Sequence, residues 1–157
     1  VGIVVGSRSD IGAAERASAI LDELGVPSEV RVISAHRAPD LLARFATSAE
    51  ERGISVFIAI AGLAAHLPGV LASQTTAPVI GVPMAGGVSD GLDALLAIVQ
   101  MPKGVPVATV GVGNGENAAL LAAEMLALSD PALRTRLDER RRSQAQDIAG
   151  DPANEGL

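Results

Sequence analysis

The chain has 157 residues and is 48% hydrophobic, enough for one sizeable core within the usual single-domain range. With 18 acidic and 12 basic side chains its formal charge is -6, which argues against a broad nucleic-acid surface, and zero cysteines exclude a disulfide scaffold or thiolate metal site. No apolar run reaches the roughly 20 residues of a membrane-spanning helix and no basic leader precedes an apolar segment, so a cytoplasmic protein without a membrane partner is expected.

Val1 to Val5 is an apolar run that ends at Gly6-Ser7-Arg8-Ser9-Asp10, and Ala13, Ala17, Ile20, Leu21 and Leu24 then form one helical stripe, stopped by Gly25-Val26-Pro27. Val30, Val32 and Ile33 read as a second strand. Ser34 to Pro39 follows, then a helix whose inward side is Leu41, Leu42, Phe45, Ala46 and Ala49, closed by Arg52-Gly53. The third strand, Val56 to Ala61, has no polar member, as a parallel sheet covered on both faces requires. Gly62 to Pro68 is its exit loop and Gly69 to Gln74 a short helix. Pro78 to Val82 gives a fourth strand, Pro83 to Gly91 a glycine-rich loop, Leu92 to Val99 a helix and Val105 to Val112 a fifth strand. Asn117 to Leu128 is an alanine-leucine helix with Asn114 or Asn117 near its cap.

This alternation predicts an α/β fold, a three-layer α/β/α sandwich on a parallel, flavodoxin-like sheet, although strand order cannot be read from it. Residues 1-128 are assigned to one flavodoxin-like domain. Residues 129-150 form a mostly charged C-terminal helix on the same or a neighbouring subunit, with Leu133 and Leu137 four apart, and 151-157 a flexible tail. Phe45 and Phe57 are the only aromatic side chains, so the core is built from Ala, Val, Leu, Ile and Gly. Such a chain gains much from covering surface with partner subunits.

In a parallel sheet ligands bind outside the carboxyl ends of the strands. Three polar strand exits there bring Ser7, Ser9, Asp10, Ser34, His36, Arg37 and His66 to one edge. The first exit suits a phosphate, because unpaired amides and the helix dipole both favour negative charge, although Ser9 or Asp10 alone could be a plain helix cap. It contains neither a dinucleotide fingerprint nor a Walker loop. In the second exit the Arg37 fork matches phosphate oxygens; alone it could equally be a solvated surface charge, and His36 a structural hydrogen-bonding residue. The third exit, Ala61 to Gly69, is an apolar wall of small residues around His66, where desolvation would tend to lower the imidazole pKa, or where the ring is a satisfied core residue. The two histidines are the side chains suited to proton transfer near neutral pH. Metal binding is disfavoured, since no His-x-x-His or His-Glu-x-x-His pair occurs, and no serine-nucleophile elbow is present. Met84, Met101 and Met125 read as packing.

Taken together, Gly6-Ser7-Arg8-Ser9-Asp10, Ser34-Ala35-His36-Arg37-Ala38-Pro39 and Ala64-Ala65-His66-Leu67-Pro68-Gly69 resemble the PurE family, specifically its class I members, the N5-carboxyaminoimidazole ribonucleotide mutases of purine biosynthesis. The likeness continues through Pro78 to Pro83, Ser89 to Pro102, Gly104 to Thr109 and Asn117 to Ala123, in order along nearly the whole chain.

The resemblance implies a flavodoxin-like homo-octamer with sites at subunit contacts, and a reaction that moves a carboxylate from an exocyclic nitrogen to carbon 4 of an imidazole ribonucleotide without ATP, metal or organic cofactor. It implies that Ser7, Ser34 and Arg37 hold the 5'-phosphate, with Ser9 beside them, and that Asp10 takes the ribose hydroxyls. His36 lines the site near the carboxylated base, Gly62, Ala64 and Leu67 wall it, and His66 moves the proton between the departing nitrogen and carbon 4. The chain departs from the family text at Leu63, where glycine is common, in the loop from Ala85 to Asp90, and at Gly113 to Glu116. Two alternatives stand beside this reading. One is the class II carboxylase that uses free carbon dioxide, whose lysine after the first histidine and lack of His-Leu-Pro-Gly disfavour it here. The other is a non-catalytic nucleotide-binding domain on the same fold.

Overall fold

Uninterrupted apolar runs can sit only where both faces of a sheet are covered, and three such runs make the centre of this fold. A computed structural model describes residues 1–156 of the chain. Strands β1 (Gly2–Val5), β2 (Glu29–Val32), β3 (Phe57–Ala61), β4 (Val79–Pro83) and β5 (Ala108–Thr109) form one parallel sheet in the order β2-β1-β3-β4-β5, a flavodoxin-like winding. Every residue of β1, β3 and β4 is buried.

Successive side chains of a strand point to opposite faces, and the two cores follow that period. Ile3, Val5, Ile58, Ile60, Ile80 and Val82 share one core with helices α1 (Ile11–Glu23) and α5 (Gly115–Leu126). Val4, Phe57, Ala59 and Val79 share the other with α2 (Pro39–Thr47), α3 (Leu67–Ala72) and α4 (Leu92–Val99). The last helix, α6 (Pro131–Ala149), buries Leu133 and Leu137 in the first core, and its Arg136 Nε donates to the Leu24 carbonyl at 2.8 Å. Past it, Pro152–Asn154 forms a 3-10 turn in which Asp151 accepts from the Ala153 amide at 2.8 Å.

Element boundaries move where local chemistry competes with the apolar pattern. Helix α2 ends at Thr47 rather than Arg52, because the hydroxyls of Thr47 and Ser48 donate to the carbonyls of Ala43 and Arg44 and residues 48–53 turn. Its buried stripe is Leu42, Phe45 and Ala46, with Ala49 buried in the turn that follows; Leu41 lies off that helical spacing and is exposed. Helix α3 starts two residues early, at Leu67, since Pro68 in the first turn has no amide to leave unsatisfied. The fifth strand is only Ala108–Thr109, not 105–112: it has one neighbour, β4, and Pro106 cannot donate to a ladder. Of the two candidate caps of α5, Asn114 does the capping, its side chain accepting from the Asn117 amide at 2.9 Å.

Helices α1 and α5 meet through alanines, Ala13, Ala14 and Ala17 against Ala118, Ala119, Ala122 and Ala123. Gly115 sets their approach, because a Cβ there would stand 2.3 Å from the Ala13 carbonyl oxygen. Gly115→Ala is therefore expected to lose about 2 kcal/mol through overpacking, despite the better helix propensity of alanine, and to lower Tm by about 4–8 °C. Thermal unfolding followed by circular dichroism measures this, and an unchanged or raised Tm contradicts the close approach.

Candidate functional site

The exits of β2, β1, β3 and β4 stand side by side along the carboxyl edge of the sheet, a span of roughly 14 Å for three strand spacings. They surround a cavity of about 790 Å³. Its wall includes Ser7, Ser9, Asp10, Ser34, His36, Arg37, Gly62, Ala64 and Leu67, drawn from segments far apart in the chain.

At the β1 exit, residues Arg8–Asp10 make a 3-10 turn that runs into α1. Ser7 Oγ accepts from the Ser9 amide at 3.4 Å, and Ser9 Oγ donates to Asp10 Oδ1 at 3.1 Å. Neither Ser9 nor Asp10 caps α1 with its side chain, so the plain capping role does not account for them. The Ser7 hydroxyl hydrogen, not used in accepting, remains free to donate.

At the β2 exit, Ser34 Oγ accepts from both the Arg37 amide, at 3.3 Å, and Arg37 Nε, at 3.2 Å, while Arg37 Nη2 donates to the Gly6 carbonyl at 3.4 Å. One guanidinium thus braces two neighbouring strand exits. Its fork is fixed by hydroxyl and carbonyl oxygens, and among the described residues it forms no ion pair. A positive charge held in place without a carboxylate partner is suited to an incoming anion.

At the β3 exit the chain makes two short turns, Ala65 N to Leu63 O at 2.9 Å and His66 N to Ala64 O at 2.7 Å, which carry it into α3. His66 Nδ1 then lies 2.9 Å from His36 Nε2, the rings standing edge to face at 88° with centroids 5.0 Å apart. The enclosure expected around His66 is absent in the single chain. Ala65 and Leu67 take the buried positions, the His66 ring is exposed, and His36 is the imidazole that lines the cavity.

This N···N contact restricts proton placement. A hydrogen bond there needs one donor and one acceptor, so the contact holds one bridging proton and cannot survive protonation of both rings. When the pair carries one positive charge, both outer nitrogens, His36 Nδ1 and His66 Nε2, bear protons; loss of one leaves the bridge intact.

Met84 and Ala85, at the β4 exit, also line the cavity and were not among the sequence candidates. Met84, which reads as packing in the sequence, packs against the first core and lines the cavity as well. Its signal lay in strand order: β4 borders β3, so its exit borders the Gly62 loop. Among the described residues no group of three or more His, Cys, Asp or Glu could hold a metal ion, and no helix is long and apolar enough to cross a membrane.

The family described as AIR carboxylase matches residues 1–147. A Bacillus subtilis protein named N5-carboxyaminoimidazole ribonucleotide mutase is 53% identical over 150 residues, covering 94% of this chain and 93% of that protein. A Mycobacterium tuberculosis protein of the same name is 55% identical over 137 residues, covering 87% and 79%. The crystal structure of Treponema denticola PurE superimposes with a TM-score of 0.87 at 28% identity, covering 99% of this chain and 98% of that one.

Nitrogen-15 NMR of the imidazoles tests the histidine pair. His36 Nε2 and His66 Nδ1 are expected to share one bridging proton, seen as a coupling across the contact. Absence of any coupling between the two nitrogens contradicts the contact.

Proposed function

The chain belongs to the AIR carboxylase family, and on that premise we propose that it converts N5-carboxyaminoimidazole ribonucleotide to 4-carboxy-5-aminoimidazole ribonucleotide in purine biosynthesis. The observation that carries this reading is the convergence on one cavity of Arg37, which forms no ion pair among the described residues, and His36, hydrogen-bonded to His66 behind it. The first suits the phosphate of a ribonucleotide. The second suits a reaction that gives a proton and takes one back.

In the proposed complex, Arg37 and the hydroxyls of Ser7 and Ser34 hold the phosphate; each hydroxyl already accepts from the protein and keeps its hydrogen for a phosphate oxygen. Asp10, oriented by Ser9, accepts from the ribose hydroxyls. Gly62, Ala64 and Leu67 wall the imidazole, with His36 at the cavity face and His66 behind it through the bridge.

The carbon–nitrogen bond of the carbamate breaks with its electron pair staying on nitrogen, which takes a proton from the charged histidine pair, and carbon dioxide is released inside the cavity. Carbon 4 of the electron-rich imidazole then attacks the carbon dioxide, and the proton it sheds returns to the pair. The net change is an isomerisation, with the pair restored and no cofactor consumed. Holding carbon dioxide beside carbon 4 turns a bimolecular step into an internal one. A single pair serves as acid and then as base because the bridging proton stays in place throughout.

We further propose a cytoplasmic homo-octamer, on the strength of the family resemblance. The openness of the cleft around His66, and the apolar residues Leu92, Leu96 and Val99 exposed at helical spacing on α4, support subunit contacts that complete the site.

The test is isomerisation of N5-carboxyaminoimidazole ribonucleotide with and without added bicarbonate. Turnover independent of bicarbonate is expected. Dependence on bicarbonate points instead to a carboxylase using free carbon dioxide, and ligand binding without turnover to a non-catalytic domain. Arg37→Ala is expected to raise KM about 10- to 100-fold by removing charge-assisted bonds to the phosphate. His66→Asn or His36→Asn should instead lower kcat by about 10²- to 10⁴-fold with little change in KM; an unchanged kcat in both variants removes the pair from the mechanism.

A further inference from the structure

Among the described residues only Leu63 and Asp90, of all non-glycine residues, have a positive φ, at 56° and 48°. They lie on the facing exits of β3 and β4, one at the cavity wall and the other in the loop after Ala85. A bulky apolar side chain is a rare occupant of the left-handed region, and strain of this kind persists only where the surroundings or a function maintain it. The Leu63 side chain contributes to neither core, and the residue is 62% exposed.

The neighbouring loop comes up against its side chain. A Cβ on Gly87 would come within 3.0 Å of Leu63 Cδ2 and 2.4 Å of Asp93 Oδ2, and Gly87 itself has φ +72°. Only glycine fits both the backbone and the space, so the leucine lies over a bare stretch of the Ala85 to Asp90 loop. Leu63 and Gly87 are thus in contact. Beside Leu63 the cavity wall is small, Ala61, Gly62, Ala64 and Ala85, so its isobutyl group is the largest apolar group at that corner apart from Met84 and Leu67.

We propose that Leu63, seated on Gly87, is a specificity-determining residue that confines the one-carbon unit within the cleft. It decides between transfer to carbon 4 and escape to solvent. The inference rests on the proposed isomerisation, since it assigns a wall to the carbon dioxide which that reaction sets free. Carbon dioxide is small and carries no charge, so it offers polar side chains little to hold; an apolar wall slows its exit by occupying the way out. Escape leaves the decarboxylated aminoimidazole ribonucleotide, and re-entry from the medium brings in unlabelled carbon.

The test uses substrate carrying carbon-13 in its carboxylate, incubated with the full chain in unlabelled bicarbonate, with label loss and decarboxylated nucleotide measured above the spontaneous background. The wild-type chain should retain most of the label in the product. Leu63→Gly relieves the backbone strain and so is expected to fold at least as stably; it should raise label loss about tenfold, while KM for the nucleotide stays within about twofold. Leu63→Ala, which keeps the Cβ and removes the isobutyl group, should fall between them. Label retention in both variants equal to that of the wild-type chain overturns the confinement role, as does loss of all turnover without decarboxylated product. A wild-type chain that does not isomerise the substrate at all overturns the proposed function itself, a different result from an active wild type with indifferent variants.

Discussion

The organisation of this molecule depends on one constraint: in a parallel sheet every strand leaves at the same edge. With the order β2-β1-β3-β4-β5, four of those exits become neighbours, and the Arg37 guanidinium spans two of them by donating to Ser34 and Gly6. The His36–His66 contact ties the β2 exit to that of β3, across β1. The cleft is therefore set by strand order and held by a few polar contacts, on a scaffold whose interior is almost wholly aliphatic.

The scaffold achieves this with small side chains. Alanine faces on α1 and α5, with glycine at the start of α5, let the helices lie close to each other and to the sheet. Dispersion between closely packed atoms then compensates for the scarcity of aromatic rings. The same economy leaves apolar residues of α4 and the ring of His66 exposed in one chain.

Much of this was legible in the sequence because strands and their exits announce themselves. The polar-free run up to Ala61 required a covered parallel sheet, and glycine, serine and proline at the ends of the runs marked the loops that meet at the cavity. Pro39 marked the start of α2 for the same reason that Pro68 falls within the first turn of α3. What escaped the reading depends on adjacency. Met84 and Ala85 join the wall only because β4 borders β3, and no local pattern encodes that order. The histidine contact likewise joins residues thirty apart in the chain, across an intervening strand. The short fifth strand reflects a competition that periodicity does not register, between an apolar run and a proline at an edge. The enclosure of His66 was inferred from its apolar sequence neighbours, but Ala65 and Leu67 turn inward in its place.

The proposed chemistry requires a nucleotide to lie along the strand exits. A crystal structure with 4-carboxy-5-aminoimidazole ribonucleotide bound measures this most directly. The phosphate should meet Arg37, Ser34 and Ser7 at the β1 and β2 exits, with the imidazole between the histidine pair and the small wall from Gly62 to Ala64. A phosphate bound away from Arg37, or a base turned out of reach of both imidazoles, would contradict the account.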